Sequence, residues 1–310
     1  MRPDSRLLAR GAATLALLLC AASAAVLPQG NVPSGAVATP SSLPLLRARA
    51  FDATGSVKMF LSAGTVRLVG WDHDSIVVRG RVARGEHFYF SGGGRALKLG
   101  FLDHMGDEAP LPSALVVYVP RRSTVSVKSV SADISGSDVS GWFYSVSGAI
   151  HLSGASSSVE AEALGGDVTL DVSAPWIRAR TGRGRLLVRG APQDADLSTI
   201  SGSLDIASPA IMRGRGASVS GDIRYAGAPP AGALFDFSNH SGSVDLLLPG
   251  AVSGLFDLST ITGDIENGLT QVRPVADARS RGRSLRLSLG GGGSRFTVRT
   301  FKGAIRLRTP

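Results

Sequence analysis

The chain has 310 residues, 43% hydrophobic and 18% charged, which is enough apolar material for a packed core and too little charge for a disordered chain. A single cysteine excludes a disulfide framework or a cysteine-held iron–sulfur cluster within the chain. The formal net charge of +9 keeps anionic partners in view.

The first stretch reads as a targeting signal. Arg2, Arg6 and Arg10 flank the apolar run Gly11 to Leu19, and Ala22-Ser23-Ala24 fits a cleavage site. This predicts a secretory signal peptide over 1–24, too short for a permanent span. The mature chain is then expected to be exported, periplasmic or at the cell surface, with no transmembrane helix. Cys20 lies inside this segment. A lipid anchor there wants a small residue before the cysteine, and Leu19 stands in that place, so cleavage after Ala24 is preferred over a diacylated Cys20. Removing 1–24 takes away three Arg and one Asp, leaving a charge of +7 and no thiol. Residues 25–46, with Pro28, Pro33, Pro40 and Pro44 among small residues, read as a flexible leader.

A single β domain is expected over 47–310. Its opening part, 47–130, shows candidate strands at Ser56–Leu61, Thr65–Val69, Ser75–Val82, His87–Phe90, Ala96–Phe101, Ala114–Val119 and Thr124–Val130. The expected turns include Ser62–Gly64, a tip at Trp71–Asp74 and Ser91–Gly94. These first strands are taken as an atypical cap.

From 131 to 308 the chain repeats. Leu197-Ser-Thr-Ile-Ser-Gly202-Ser-Leu-Asp-Ile206 recurs around Gly148, Gly166, Gly184, Gly221, Gly242, Gly263 and Gly303, at spacings of 18, 18, 18, 19, 21, 21 and 40. Counted from each glycine, position +2 is always aliphatic: Ile150, Val168, Leu186, Leu204, Ile223, Val244, Ile265 and Ile305. Before the glycine the inward positions are −7, −5 and −3, as in Ile177, Ala179 and Thr181. A phase switch of this kind cannot occur within one flat strand. Each unit is therefore two short strands joined at a glycine corner, and one unit cannot bury its face alone. The expected fold is all-β, a β-solenoid of two-strand coils. An antiparallel sandwich is the alternative, and eighteen residues per unit is tight for it. Leu285–Leu289 and Arg295–Phe301 are expected to pair as a hairpin across Gly290–Ser294.

Val116-Val-Tyr-Val-Pro120, Val125-Ser-Val, the serial Ser-Gly-Asp-Ile units and the closing Thr297-Val-Arg-Thr-Phe-Lys-Gly303-Ala-Ile-Arg-Leu307 together resemble the DUF4097 "putative adhesin" β-strand-repeat family. The resemblance runs over roughly 47–308. It implies an exported bacterial solenoid-like domain and brings no catalytic residues. Gly182, Arg183 and His240 depart from the pattern, as does the long step from Gly263 to Gly303.

Candidate chemistry is sparse. Arg178, Arg180, Arg183 and Arg185 mark a basic face that would hold phosphates or carboxylates. The competing reading is a charge ladder, because Glu160, Arg178 and Asp196 share position −6 in successive coils. A second basic run is Arg279, Arg281, Arg283 and Arg286. The acids Asp167, Asp222 and Asp264 follow corner glycines, but Ala149, Arg185, Ser203, Ser243 and Ala304 occupy the same place, which argues for turn residues over stacked calcium sites. The loop Asp103–Glu108 is a solvated acidic loop with the composition for one divalent cation. His73 sits between Asp72 and Asp74 and reads as a hairpin tip. His240 at −2 reads as an inward core histidine. His87, His104 and His151 complete no metal motif. No cofactor is called for. Nucleic acid is disfavoured by export and by the lack of aromatic residues between the arginines.

These features point to a non-enzymatic, adhesin-like protein that binds an envelope glycan, an anionic polymer or a surface protein. An envelope-stress accessory role stands as one alternative, by fold analogy. A polysaccharide-active enzyme using Glu160 and Glu162 stands as the other.

Overall fold

The inward positions of each unit set the architecture. In the computed structural model, which describes residues 42–101, 111–276, 282–291 and 293–310, positions −7, −5, −3 and +2 of the glycine units are buried, apart from the half-buried Gly141 at −7 of the Gly148 unit. The signal segment, Cys20, most of the leader and the Asp103–Glu108 loop lie outside the described residues. The described chain holds 25 strands and no helix. Each coil is a strand, a corner and a second strand. The pre-corner strands stack in parallel register as one sheet, as in Val159–Ala163 against Trp176–Thr181 with Val159 opposite Ile177. The post-corner strands form a second sheet, as in Val168–Ser173 against Leu186–Gly190 with Val168 opposite Leu186. The two sheets enclose one core. The fold is a β-solenoid.

One long strand, Ser42–Leu61, joins both sheets. Its first half lies antiparallel to Ser75–Ala83 in the post-corner sheet, and its second half lies parallel to Thr124–Ser129 in the pre-corner sheet. The hydrogen-bonded network is therefore continuous through all 25 strands. The last five residues assigned to the leader, 42–46, belong to this strand.

Naming each coil by its corner residue, the stack runs Ser113, Gly64, Ala132, Gly148, Gly166, Gly184, Gly202, Gly221, Gly242, Gly303, Gly263. Two corrections to the sequence reading follow. The repeat frame extends into the opening part, with Val57, Met59 and Leu61 before Gly64 and Val66 after it, all buried. The frame continues through Ala132, whose alanine hid the unit. The stack order also departs from chain order at both ends. The Gly303 coil inserts between Gly242 and Gly263, and the Gly64 coil inserts between Ser113 and Ala132. The Gly64 and Gly303 coils are thus each held between two neighbours.

The long step between Gly263 and Gly303 has its cause here. Arg283–Leu289 pairs antiparallel with Gly254–Thr260 on its outer side, while Ser294–Thr300 pairs parallel on its inner side. The hairpin expected across Gly290–Ser294 does not form, because Gly254–Thr260 lies between its two arms. Trp71–Asp74 is likewise not a hairpin tip: Ser113–Pro120 lies between Gly64–Trp71 and Ser75–Ala83. Ser91–Gly94 is not a turn either. It lies inside the strand Phe88–Phe101, where Gly92 and Gly94 take φ of 95° and 59° and shift the register against Phe51.

At each corner −3 faces in, −2 and −1 face out, the glycine faces in and +1 faces out. Two successive outward residues reset the alternation. None of the eight corner glycines from Gly148 to Gly303 has positive φ, so backbone freedom is not why glycine is needed there; only Gly64 takes a positive φ, of 105°. The reason is close approach. A Cβ on Gly202 would lie 1.8 Å from the carbonyl oxygen of Gly184, and one on Gly221 would lie 1.8 Å from that of Gly202. At the glycine corners backbone stacks directly on backbone, and Ala132 is the one corner inside the stack that carries a methyl group.

The polar residues of the motif bond within this stack. The Thr199 hydroxyl donates to the Gly202 carbonyl (3.1 Å) and Asn239 Nδ2 donates to the Gly221 carbonyl (2.8 Å), so these buried −3 side chains are satisfied at the corner, whereas the −3 hydroxyls of Ser145 and Ser218 are buried without a partner. The −1 hydroxyls donate to the −2 carbonyl of the preceding coil, as Ser220 does to Ile200 (3.2 Å). The +1 aspartates accept the +1 backbone N–H of the next coil: Arg185 N to Asp167 is 2.7 Å and Ser243 N to Asp222 is 2.7 Å.

The core thickens toward the C-terminal half. Gly214 and Gly216 face inward, and a Cβ on either would meet the Phe235 or Phe237 ring within 2.8 Å. The missing side chains make room for Phe235, Phe237, Phe256 and Phe296 around Tyr225. The Tyr225 hydroxyl is buried without a protein partner, and burial pushes its pKa well up.

Gly202→Ala is expected to lower stability by more than about 2 kcal/mol in urea unfolding, since backbone must move to admit the methyl. Gly250→Ala, where nothing lies within 4 Å, should stay within about 0.5 kcal/mol. Equal effects would show that close approach is not the cause. Tyr225→Phe is expected to leave the melting temperature unchanged or to raise it, by up to about 1 kcal/mol in stability, because it deletes a buried group without a partner.

Candidate functional site

Outward positions −8, −6 and −4 of the pre-corner strands form rows that cross the coils about 4.8 Å apart. Row −6 reads, in stack order, Trp142, Glu160, Arg178, Asp196, Arg215, Asp236, Thr297, Asp257, Arg286. Sign alternates from Glu160 to Asp236. Like charges side by side would repel in stacked parallel strands, and this order avoids that.

The four arginines singled out in the sequence separate into two kinds. Arg178 lies between Glu160 (3.6 Å) and Asp196 (3.4 Å), with its guanidinium 5.3 Å from the Trp176 ring centre. Arg185 sits on the other side of the corner and pairs with Asp205 (2.8 Å). Arg180 and Arg183 are exposed and form no ion pair among the described residues. These residues therefore do not converge on one anion site. The charge ladder accounts for Arg178. The post-corner sheet has its own ladder, Asp205, Arg224, Asp245, Arg306 and Glu266, in which Arg306 lies 3.5 Å from both Asp245 and Glu266.

In the second basic run, Arg286 pairs with Asp257 (3.5 Å) and Arg283 with Asp264, while Arg279 and Arg281 lie outside the described residues. Glu160 is held by Arg178, which sets it apart from Glu162. His240 is a correction: it is exposed at −2, stacked on Phe301 with ring centres 5.0 Å apart and planes 6° apart. His73 packs edge-on against Trp71, and its neighbour Asp72 pairs with Arg121 (3.1 Å). Among the described residues no three metal-ligating side chains cluster.

The sequence reading missed a groove. It runs over the pre-corner sheet between rows −8 and −6, with a volume of about 480 Å³ from Trp176 past Arg213, Arg215 and Leu234 to Arg295. A second depression of about 400 Å³ continues it across Arg295 and Thr297 to Asp257 and Arg286. Arg213 forks onto Asp194, with Nε 3.0 Å and Nη2 2.7 Å from the carboxylate oxygens, and this pairing holds the guanidinium pKa above its usual value. Arg215 and Arg295 have no ion pair among the described residues. The walls carry Arg213, Arg215, Arg286 and Arg295 against Asp194, Asp196, Asp236 and Asp257, so their formal charges cancel. The signal for this groove was present as an alternating Arg/Asp series at −8 and −6, but only the stacking turns it into a surface.

The family model described as Toastrack DUF4097 matches residues 112–307, which contain every corner of the stack except Gly64. The chain belongs to the DUF4097 family. The matched Toastrack segment contains both halves of the groove and both charge ladders. No curated protein matches the chain. A crystal structure of a "putative cell adhesion protein" from Clostridium sporogenes aligns at 7% identity over 86% of this chain and 100% of its own, with a TM-score of 0.25. That of a "putative adhesin" from Bacteroides fragilis aligns at 10% identity over 86% of this chain and 97% of its own, with a TM-score of 0.40.

Arg178→Ala is expected to cost less than about 1 kcal/mol in urea unfolding, with the difference shrinking in high salt, because all three partners of this ladder are more than a third exposed. A loss of several kcal/mol would mean that the ladder holds the fold together.

Proposed function

We propose that this Toastrack protein is an exported, non-enzymatic, adhesin-like module that holds an envelope or surface glycan along its pre-corner sheet. The observation that carries this reading is the groove with Arg215 and Arg295 unpaired on its walls. Guanidinium donors and carboxylate acceptors alternate along it at the strand spacing of about 4.8 Å. A chain of polyhydroxylated rings offers donors and acceptors at similar intervals. The cancelling charges of the walls favour hydroxyl-rich glycans over strongly anionic polymers. Trp176 supplies an apolar surface at one end of the groove, with the stacked pair Trp142 and Tyr144 two coils beyond it. Export rests on the basic and apolar pattern of residues 1–24. The binding reading is preferred over catalysis because Glu160 is engaged by Arg178 and Glu162 lies one row away, which leaves no pair of free carboxylates facing one bond.

Titration of the purified protein with oligosaccharides released from bacterial envelopes is the direct test. Arg215→Ala and Arg295→Ala are each expected to weaken binding about tenfold, which is about 1.4 kcal/mol, while Arg224→Ala on the opposite sheet leaves it unchanged. Absence of binding to any envelope oligosaccharide would overturn the proposal. Release of new reducing ends would replace it with an enzymatic one.

A further inference from the structure

Most polar side chains of the corner motif bond inside the stack, and position −2 has no such task. From Ala132 onward its side chain points to solvent, yet in seven of these nine coils it is apolar, the exceptions being Gly182 and His240. In stack order the row reads Val130, Val146, Leu164, Gly182, Ile200, Val219, His240, Phe301, Ile261. The aliphatic members and Phe301 are all more than a third exposed, Ile200 at 61% and Val219 at 52%. Eight steps of about 4.8 Å make an apolar ridge roughly 38 Å long on one edge of the solenoid. Isolated exposed apolar residues need no explanation, but a continuous ridge does.

We infer that this ridge is a dimer interface that receives a second copy of the chain in antiparallel, two-fold fashion. Three observations select this occupant. First, the ridge has complementary relief. Gly182 leaves a notch of about 320 Å³ beside Leu164, Ile200, Arg180 and Glu162, and three steps further on the stacked His240 and Phe301 form a bulge. With the two-fold axis between Ile200 and Val219, the notch meets the partner's His240, Leu164 meets the partner's Phe301, and Ile200 meets the partner's Val219.

Second, the same register matches charge. An in-plane two-fold perpendicular to the stack sets row −4 against row −4, which brings Glu162 opposite the partner's Arg299. A parallel arrangement would instead set row −4 against row +1 and oppose Glu162 to the partner's Asp167, an acid against an acid. An anionic membrane is a poorer fit, because Asp133, Asp167, Asp222 and Asp264 line the far side of the same edge.

Third, the area suffices. Rows −4 to +1 span about 17 Å at about 3.4 Å per residue, so the strip covers roughly 650 Å² per copy. The total of roughly 1,300 Å² lies within the size of a specific interface. The two ends of the stack offer less. The outermost post-corner strand at one end is Ile265–Asn267, and at the other end the edge half of Ser42–Leu61 carries Pro44, Arg47 and Arg49, residues that blunt an edge. The inference is independent of the groove, which lies on the open sheet face.

Sedimentation equilibrium of the full mature protein is the test, with thermal unfolding as a control for folding. The wild-type protein is expected to weigh twice the monomer mass, and Ile200→Lys or Val219→Lys to give the monomer with an unchanged melt. Glu162→Arg should also give the monomer, because it faces the partner's Arg299, and Arg299→Glu added to it should restore the dimer. A wild-type monomer up to 100 µM overturns the inference, and so does a dimer that survives both lysine substitutions. A wild-type monomer that floats with phosphatidylglycerol vesicles overturns it in favour of a membrane surface.

Discussion

The structure depends on the stacking of peptide groups at one corner. Each corner glycine from Gly148 to Gly303 lies on the corner carbonyl of the adjacent coil, at a distance that leaves no room for a methyl group without backbone movement. This contact fixes the coil spacing, and the spacing fixes everything arranged in rows. Inside, Thr181 and Asn239 at −3 reach the corner carbonyls of the neighbouring coil because those carbonyls repeat at the strand interval. Outside, Asp167 and Asp222 reach the N–H of the next coil for the same reason. The Thr/Ser-Ile-Ser-Gly-Asp-Ile motif is therefore a description of one stacking joint, in which the −1 hydroxyls and +1 carboxylates close bonds to a neighbouring coil.

A stack of this kind turns sequence position into surface geography. Residues eighteen or more apart become side-by-side neighbours, so a single chain position becomes a row. Row −6 becomes a ladder of alternating charge in which Arg178 is partly neutralised by Glu160 and Asp196, and across the corner Arg185 is paired with Asp205. Where a row leaves an arginine unpaired, as at Arg215 and Arg295, the face keeps hydrogen-bonding capacity for a ligand. Position −2 becomes an apolar ridge. Binding capacity in such a fold resides in rows, and a single substitution changes one rung of a surface several coils long.

The two ends show how an open stack is closed. Parallel strands would leave unpaired edges at both ends. Here the terminal coils exchange places with their sequence neighbours, and antiparallel strands cover one sheet at each end, Ser75–Ala83 the post-corner sheet and Arg283–Leu289 the pre-corner sheet. Long-range pairing of this sort costs loop-closure entropy, which grows only slowly with loop length, so the forty-residue excursion before Gly303 is thermodynamically tolerable.

The amino-acid sequence by itself determined which residues face inward. Period-two alternation with aliphatic +2 positions leaves one face to bury, and serial glycines mark where coils turn, so the solenoid is legible from residue pattern alone. The sequence also placed Glu160, Arg178 and Asp196 on one ladder, since equal offsets from successive glycines mean adjacent places. It did not reveal the Gly64 and Ala132 coils, where an isolated glycine and an alanine broke the visible frame. It misled at His240, because one phase switch was expected where two outward residues reset the alternation. Only the tertiary structure decided the order of the coils at the ends, the pairing of Gly254–Thr260 between two later strands, and the groove beside Arg215 and Arg295. The physical reason is that alternation is local, set by each residue's own backbone, whereas the choice of neighbouring coil is made by hydrogen bonds and packing between segments far apart in the chain.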